Sequence, residues 1–267
     1  MFPLLQRSLG FETAFFLGLG MLAGMNDADF DRYADFSGRY IRQSRVPPRF
    51  EQALVQKFFS RETQGFFVDV GANDPVLDSQ SFHLERLGWR GLLIEPLPAY
   101  CELLRRHRLS QVVECACSSP ENHGKNMSIK VAGVHSSLEP NLIAVGAKAE
   151  AVAQVQVRTL DSVLREHAVA PGFDLLSIDV EGHEMEVFKG VDLRLWRPRL
   201  VLLEDHVTGH QKHQYMRSQG YQLLLRTGLN SWYVPEDRGY TFSARARLEF
   251  FRKYWLGLLT RKIRYSK

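Results

Sequence analysis

Cysteine is scarce, with only Cys101, Cys115 and Cys117 in 267 residues. Three thiols cannot form a disulfide framework, and Cys115 and Cys117 stand too close together for ordinary bridging. Reduced, partly buried thiols in a cytoplasmic setting are expected instead. With 20 glycines and 11 prolines, the chain is neither fibrous nor low in complexity. The uncharged stretch Thr13–Asn26 is fourteen residues long, short of the roughly 20 apolar residues that a spanning helix needs. It shows no clear signal-peptide cleavage pattern, so a buried or interfacial helix is expected there. A strong excess of one charge is also missing, since the net charge is +4.

What is present is ordinary for a folded domain: 45% hydrophobic and 24% charged residues, enough for one sizeable core plus an appendage. The charge is unevenly placed. From Glu236 to Lys267 stand nine basic and three acidic residues, so this tail carries +6 and the rest of the chain −2.

Three regions follow from the pattern. Residues 1–60 read as a helical extension, with Phe30, Tyr33, Phe36 and Tyr40 at helical spacing, a break at Val46-Pro47-Pro48, and a short amphipathic helix over Phe50–Phe59. Residues 61–235 alternate strands and helices. Strands are predicted at Phe66–Val70, Gly91–Glu95, Val112–Ala116, Leu175–Asp179 and Leu200–Glu204, with a final antiparallel pair at Tyr221–Arg226 and Ser231–Val234. Helices are predicted around Ser79–Leu87, Ala99–His107, Thr159–His167 and Gln211–Gln219. Strands this apolar require cover on both faces, hence a mostly parallel seven-stranded α/β sheet. Residues 236–267 read as a basic amphipathic helix. In such a sheet the ligand sits beyond the carboxyl ends of the strands, at the topological switch point.

The first strand ends in Asp69-Val70-Gly71-Ala72-Asn73-Asp74. A dinucleotide fingerprint would need further glycines, and Asp69, Asp74 and Asp78 are the only charges between Glu62 and His83. That acidity repels a pyrophosphate and suits a ligand bearing an ammonium and a sulfonium, such as S-adenosylmethionine. The second strand ends in Glu95, placed to accept both hydroxyls of a ribose.

FVDVGAND (Phe67–Asp74), GWRGLLIEPLP (Gly88–Pro98), SSLEP (Ser136–Pro140), RTLDSVL (Arg158–Leu164) and DLLSIDVEGHEMEVFKG (Asp174–Gly190) resemble the FkbM-type methyltransferases. These are S-adenosylmethionine-dependent O-methyltransferases of the class I Rossmann-like fold, often acting on sugars or hydroxylated natural products. The resemblance spans about Phe66 to Tyr221 and leaves out both extensions. It departs at Pro75, where the family usually shows glycine and where the loop is stiffened. It implies that Asp69, Gly71, Asn73 and Asp74 hold the methionyl end and Glu95 the ribose, while Ala116-Cys117-Ser118 border the adenine. Ala72, Pro96 and Asp179 complete the cofactor set.

Methyl transfer to a hydroxyl needs a positioned acceptor and a group that takes its proton. The candidates lie after the fourth and fifth strands, in Asp179-Val180-Glu181-Gly182-His183-Glu184 and Glu204-Asp205-His206. His206 and His183 are the candidate bases, with Glu181 and Asp179 beside them. Asp179, Glu204 and Asp205 form a candidate Mg²⁺ set, because a hard cation prefers carboxylate oxygens. His206, His210 and His213 share a helix face but lack a fourth ligand for zinc. The insertion Ser128–Gln156 is where acceptor specificity would be built.

The expected partner is a small-molecule or glycan acceptor. Nucleic acid is disfavoured by the acidic body. The tail, with Leu248, Phe250, Phe251, Tyr254, Trp255, Leu258, Leu259 and Ile263 among Arg and Lys, suits docking on the body or a second subunit, or peripheral contact with the inner face of a membrane. Two other functions are weighed against methyl transfer: a nicotinamide-dependent oxidoreductase, and a non-catalytic cofactor-binding or oligomer partner.

Overall fold

The computed structural model describes residues 48–60, 62–76, 79–131, 151–227, 229–240 and 244–258. The predicted helical stretch before residue 48, Asp78 and the SSLEP segment lie outside these residues. So do the uncharged stretch Thr13–Asn26 and the last nine residues.

Helix α1 (Pro48–Phe58) precedes strand β1 (Phe66–Val70), α2 (Phe82–Glu85), β2 (Arg90–Glu95), α3 (Pro98–His107), β3 (Gln111–Glu114) and β4 (Ala116–Cys117). Then come β5 (Asn126–Val131), β6 (Ala151–Arg158), α4 (Leu160–Glu166), β7 (Leu175–Ile178), α5 (Glu184–Lys189), α6 (Leu193–Trp196) and β8 (Leu200–Glu204). The chain continues through α7 (Gln211–Ser218), β9 (Tyr221–Thr227), β10 (Asn230–Pro235) and α8 (Ala244–Phe251). A wide π turn over Arg252–Leu256 follows α8.

Seven strands form one sheet in the order β3-β2-β1-β7-β8-β10-β9. The first five are parallel, and β10 runs antiparallel to both its neighbours. The strand read as Val112–Ala116 divides at Cys115: β3 stays in the large sheet, while β4 joins a second sheet of order β4-β6-β5. The helix anticipated over Ser79–Leu87 contracts to α2, because Ser79 and Ser81 bond neighbouring groups and hold the chain in turns.

The two-residue period of the strands builds two cores. Val68, Val70, Leu92, Ile94, Leu176, Ile178, Val201 and Leu203 face one way, toward Val163 of α4 and Val187 of α5. Phe67, Leu93, Leu175, Leu200 and Leu202 face the other, toward Leu84 and Leu104. Each fully buried aliphatic side chain contributes about 1.5–3 kcal/mol. Helix α1 lies before residue 60, yet Ala53, Leu54, Val55 and Phe59 are packed into the second core. Its Glu51 accepts hydrogen bonds from Thr227 and Asn230, tying the helix to β9 and β10. Thr159 caps α4 by accepting from the Ser162 amide at 3.3 Å.

The tail docks on the body. Tyr254 is fully buried, and Phe250 and Leu258 pack against the same core. No helix among the described residues is long and apolar enough to cross a membrane.

Candidate active site

Val70 lies opposite both Ile94 and Ile178, so β1, β2 and β7 end level with one another. The crossovers diverge between β1 and β7, and a cleft opens there. Val70, Gly71 and Asn73 form one wall, Ile94–Leu97 a second, and Asp179–Glu181 with His183 a third. Cys115, Ala116 and Cys117 bound the side, and Tyr100 of α3 and Ile129 of β5 complete the lining.

Gly71 is where β1 must turn without a side chain. Its φ is +87°, and a Cβ there would lie 1.8 Å from the Asp179 carbonyl oxygen. The Gly71 and Ala72 amides donate to the Ile94 carbonyl at 2.9 and 3.2 Å, which locks the turn onto the end of β2. Glu95 is held from both sides. Its Oε2 accepts from the Asn73 amide at 3.0 Å and its Oε1 from the Leu97 amide at 2.9 Å. Burial raises its pKa to about 7 against the pull of those two amides, with a smaller push from the Asp69 charge. Among the described residues the cleft lining carries Glu95, Asp179 and Glu181 and no lysine or arginine.

Of the nine residues expected to hold the cofactor, Gly71, Asn73, Glu95, Pro96, Cys117 and Asp179 line this cleft, and Asp69, Ala72 and Asp74 do not. Strand alternation explains Asp69: it shares the Phe67 face and turns away from the ligand side. There it accepts a 2.5 Å hydrogen bond from Ser81 Oγ. Arg108 donates to Ser81 Oγ, Ser79 Oγ and the Pro75 carbonyl and pairs with Glu85 at 3.1 Å. Asp69 therefore anchors the loop that carries Pro75. Ala72 packs in the second core, and Asp74 accepts from the Val76 amide at 2.9 Å.

The acids after β7 and β8 converge. Single ligand oxygens of Asp179, Glu181 and Glu204 all lie within 4.8 Å of one another. Burial first, then the charges of Glu204 and Glu181, push the Asp179 carboxyl well above the usual carboxylate range. Burial works to raise Glu204 as well, but its hydrogen bond to His206 and the nearby charges of His206 and Lys212 leave it below the ordinary value. His206 Nε2 lies 3.3 Å from Glu204 Oε1, and that bond raises the imidazole pKa. His206 stands outside the cleft lining and is about one-third exposed, so it meets the site through Glu204 rather than by facing the cofactor.

Asp205 is not part of the carboxylate cluster. It points the other way, accepting from Tyr254 Oη at 2.6 Å and from the Val207 amide at 2.8 Å, and it pairs with Arg226 at 3.4 Å. Glu181, in a left-handed turn with φ 50°, takes the place foreseen for Asp205. His183 lines the cleft and shares a 2.9 Å hydrogen bond with Ser118 Oγ, linking the loop after β7 to the loop after β4.

Tyr100 and Ile129 escaped the sequence reading because each is one of several apolar residues on its element, and only the fold brings it to the cleft. Lys212 escaped it too. It forms a 2.7 Å ion pair with the buried Glu184 and donates to the Glu204 carbonyl at 3.0 Å. No local motif marks a partnership between residues so far apart in sequence.

The strand order, with one antiparallel strand inserted next to last and an acidic cleft at the switch point, defines a Rossmann-like methyltransferase fold. The chain belongs to the family of the methyltransferase FkbM domain, whose pattern matches residues 69–223.

Among solved structures, the protein is similar to the methyltransferase FkbM from Methylobacillus flagellatus KT (15% identity, TM-score 0.40, 64% of this chain and 44% of that one). It is also similar to precorrin-6y C5,15-methyltransferase from Geobacter metallireducens GS-15 (14%, TM-score 0.38, 68% and 85%). A third is the N-terminal domain of human METTL16 in complex with SAH (15%, TM-score 0.37, 71% and 70%). The chain thus spans less than half of the first of these. No protein of curated function matches it.

Proposed function

We propose that this protein is an S-adenosylmethionine-dependent O-methyltransferase acting on a hydroxyl of a sugar, glycan or other hydroxylated metabolite. The observation that carries the reading is the cleft itself: a glycine turn, a ribose-type carboxylate and further acids, Asp179 and Glu181, that run into a three-carboxylate cluster. The donor set fits this cofactor. Gly71 lets the turn after β1 pack against the Asp179 carbonyl at the cleft wall, Glu95 offers acceptors to paired hydroxyls, and the acidic groups of the lining suit a sulfonium and an ammonium. The same groups oppose the pyrophosphate of a nicotinamide dinucleotide, the competing cofactor.

When bound, S-adenosylmethionine supplies an electrophilic methyl group on its sulfonium. The chain's own work is positioning and proton removal. Asp179 and Glu181 stand at the cleft wall, Glu204 adjoins them, and His206 connects Glu204 to solvent. An acceptor hydroxyl beside Asp179 and Glu181 can pass its proton through Glu204 to His206, the half-buried end of the chain. A second reading rests on the three carboxylates themselves, whose ligand oxygens lie within 4.8 Å of one another. Asp179, Glu181 and Glu204 would then hold Mg²⁺, which would acidify the acceptor.

Transfer of a labelled methyl group to glycan and small hydroxylated acceptors tests the activity, and calorimetry with S-adenosylmethionine and with NAD tests the cofactor. Binding of NAD but not S-adenosylmethionine would overturn the assignment. His206→Ala should lower turnover by about 10²–10⁴-fold at unchanged cofactor affinity; near-normal turnover removes His206 from the proton path. Activity lost with EDTA and restored by Mg²⁺ selects the cation reading.

A further inference from the structure

The C-terminal helix has two apolar faces; the body buries one and meets the other only where the His210 and Trp255 rings lie 5.2 Å apart. Phe250 stacks on Tyr254 with ring centroids 4.6 Å apart, and Tyr254 is sealed against the core and bonded to Asp205. The opposite face leaves Leu248, Phe251, Trp255 and Leu256 exposed at 65, 50, 61 and 67%. Leu248, Phe251 and Trp255 follow one another at steps of three and four residues, so they form a ridge rather than scattered surface positions.

The sequence that carries this ridge is strongly basic. Residues 244–267 include eight basic side chains (Arg245, Arg247, Arg252, Lys253, Arg261, Lys262, Arg264, Lys267) and one acid, Glu249. The two acids that open the tail are engaged elsewhere, because Glu236 pairs with Arg217 at 2.5 Å and Asp237 with Arg197 at 2.6 Å. An apolar ridge carrying a tryptophan within a basic segment matches the physical demands of an anionic lipid surface: side chains that enter the acyl boundary and cations that meet the headgroups.

The geometry points to this ridge as a seat for an anionic membrane surface. Docking on the body and contact with lipid are thus not alternatives, since they use different faces of one helix. The seat is joined to the candidate active site by one hydrogen bond. Tyr254, on the inner face, is bonded to Asp205, the residue after Glu204.

Flotation of the full chain with phosphatidylglycerol-containing vesicles, against phosphatidylcholine vesicles, tests this. The protein should float with the anionic vesicles at low salt, float poorly with neutral ones, and be released by high salt. The double variant Leu248→Ser, Phe251→Ser changes positions that are half or more exposed, and it should partition roughly tenfold or more weakly while keeping its melting temperature and cofactor affinity. Three results would overturn the proposal: no flotation at low salt, equal flotation with neutral vesicles, or undiminished flotation of the double variant. A dimer in sedimentation that dissociates in the double variant, without flotation of the parent, would assign the ridge to a second copy of the chain instead.

Discussion

Glu95→Gln separates the role of the carboxylate charge from that of its shape. In the folded protein Glu95 is 4% exposed and its pKa is raised to about 7. A carboxyl raised on folding favours the folded state most at low pH. That contribution is full below its unfolded value near 4.5 and disappears as the pH rises through about 7. The interval of about 2.5 units corresponds to about 3 kcal/mol of stability lost between pH 4.5 and 7.5 in the unliganded protein.

Glutamine cannot titrate, so this slope should vanish from urea unfolding curves of the variant. The amide has its own penalty, because it must turn an NH₂ group toward either the Asn73 or the Leu97 amide. One donor facing another costs about 1–3 kcal/mol. Hydroxyl donors from a ribose favour the ionised carboxylate, so cofactor affinity of the parent should rise with pH up to about 7 and then level off, with a proton released on binding at lower pH. In the variant the part of this pH dependence that ends near 7 should be lost, and the affinity should be weaker by about 1–3 kcal/mol. Calorimetry in buffers of different ionisation enthalpy reads both. Identical pH profiles for parent and variant would refute the placement of Glu95 at the ribose and the origin of its shifted pKa.

Gly71→Ala should destabilise the fold by about 2–4 kcal/mol and abolish cofactor binding, since its Cβ would meet the Asp179 carbonyl. Gly172→Ala has a similar φ of +81° but nothing within 4 Å, and should cost only about 1–2 kcal/mol; equal effects in chemical denaturation would show that backbone strain alone matters at Gly71. Tyr254→Phe removes the buried hydroxyl that donates to Asp205. It should cost about 1–2 kcal/mol in urea unfolding, and a neutral result would mean that the tail is held by apolar packing alone.

The sequence by itself determined the parallel core. Runs such as FFVDV, RGLLIE, LLSI and LVLLE are apolar on both faces, and only a sheet covered on both sides buries them. It also pointed to Gly71, Glu95 and the acids after β7 and β8, which the fold brings to one cleft and one carboxylate cluster, because strand ends are local features. What it could not decide is the direction in which a given carboxylate points. Asp69 reads as a ligand by its place at a strand end, yet the two-residue alternation puts it with Phe67 beneath the loop. Asp205 and Glu204 are neighbours in the chain and face opposite ways, one toward Arg226 and Tyr254, the other toward Asp179 and Glu181. Those partners come from elements 21 and 49 residues away from Asp205. No periodicity within a single segment encodes such meetings; only the packing of β8 between β7 and β10 brings them about.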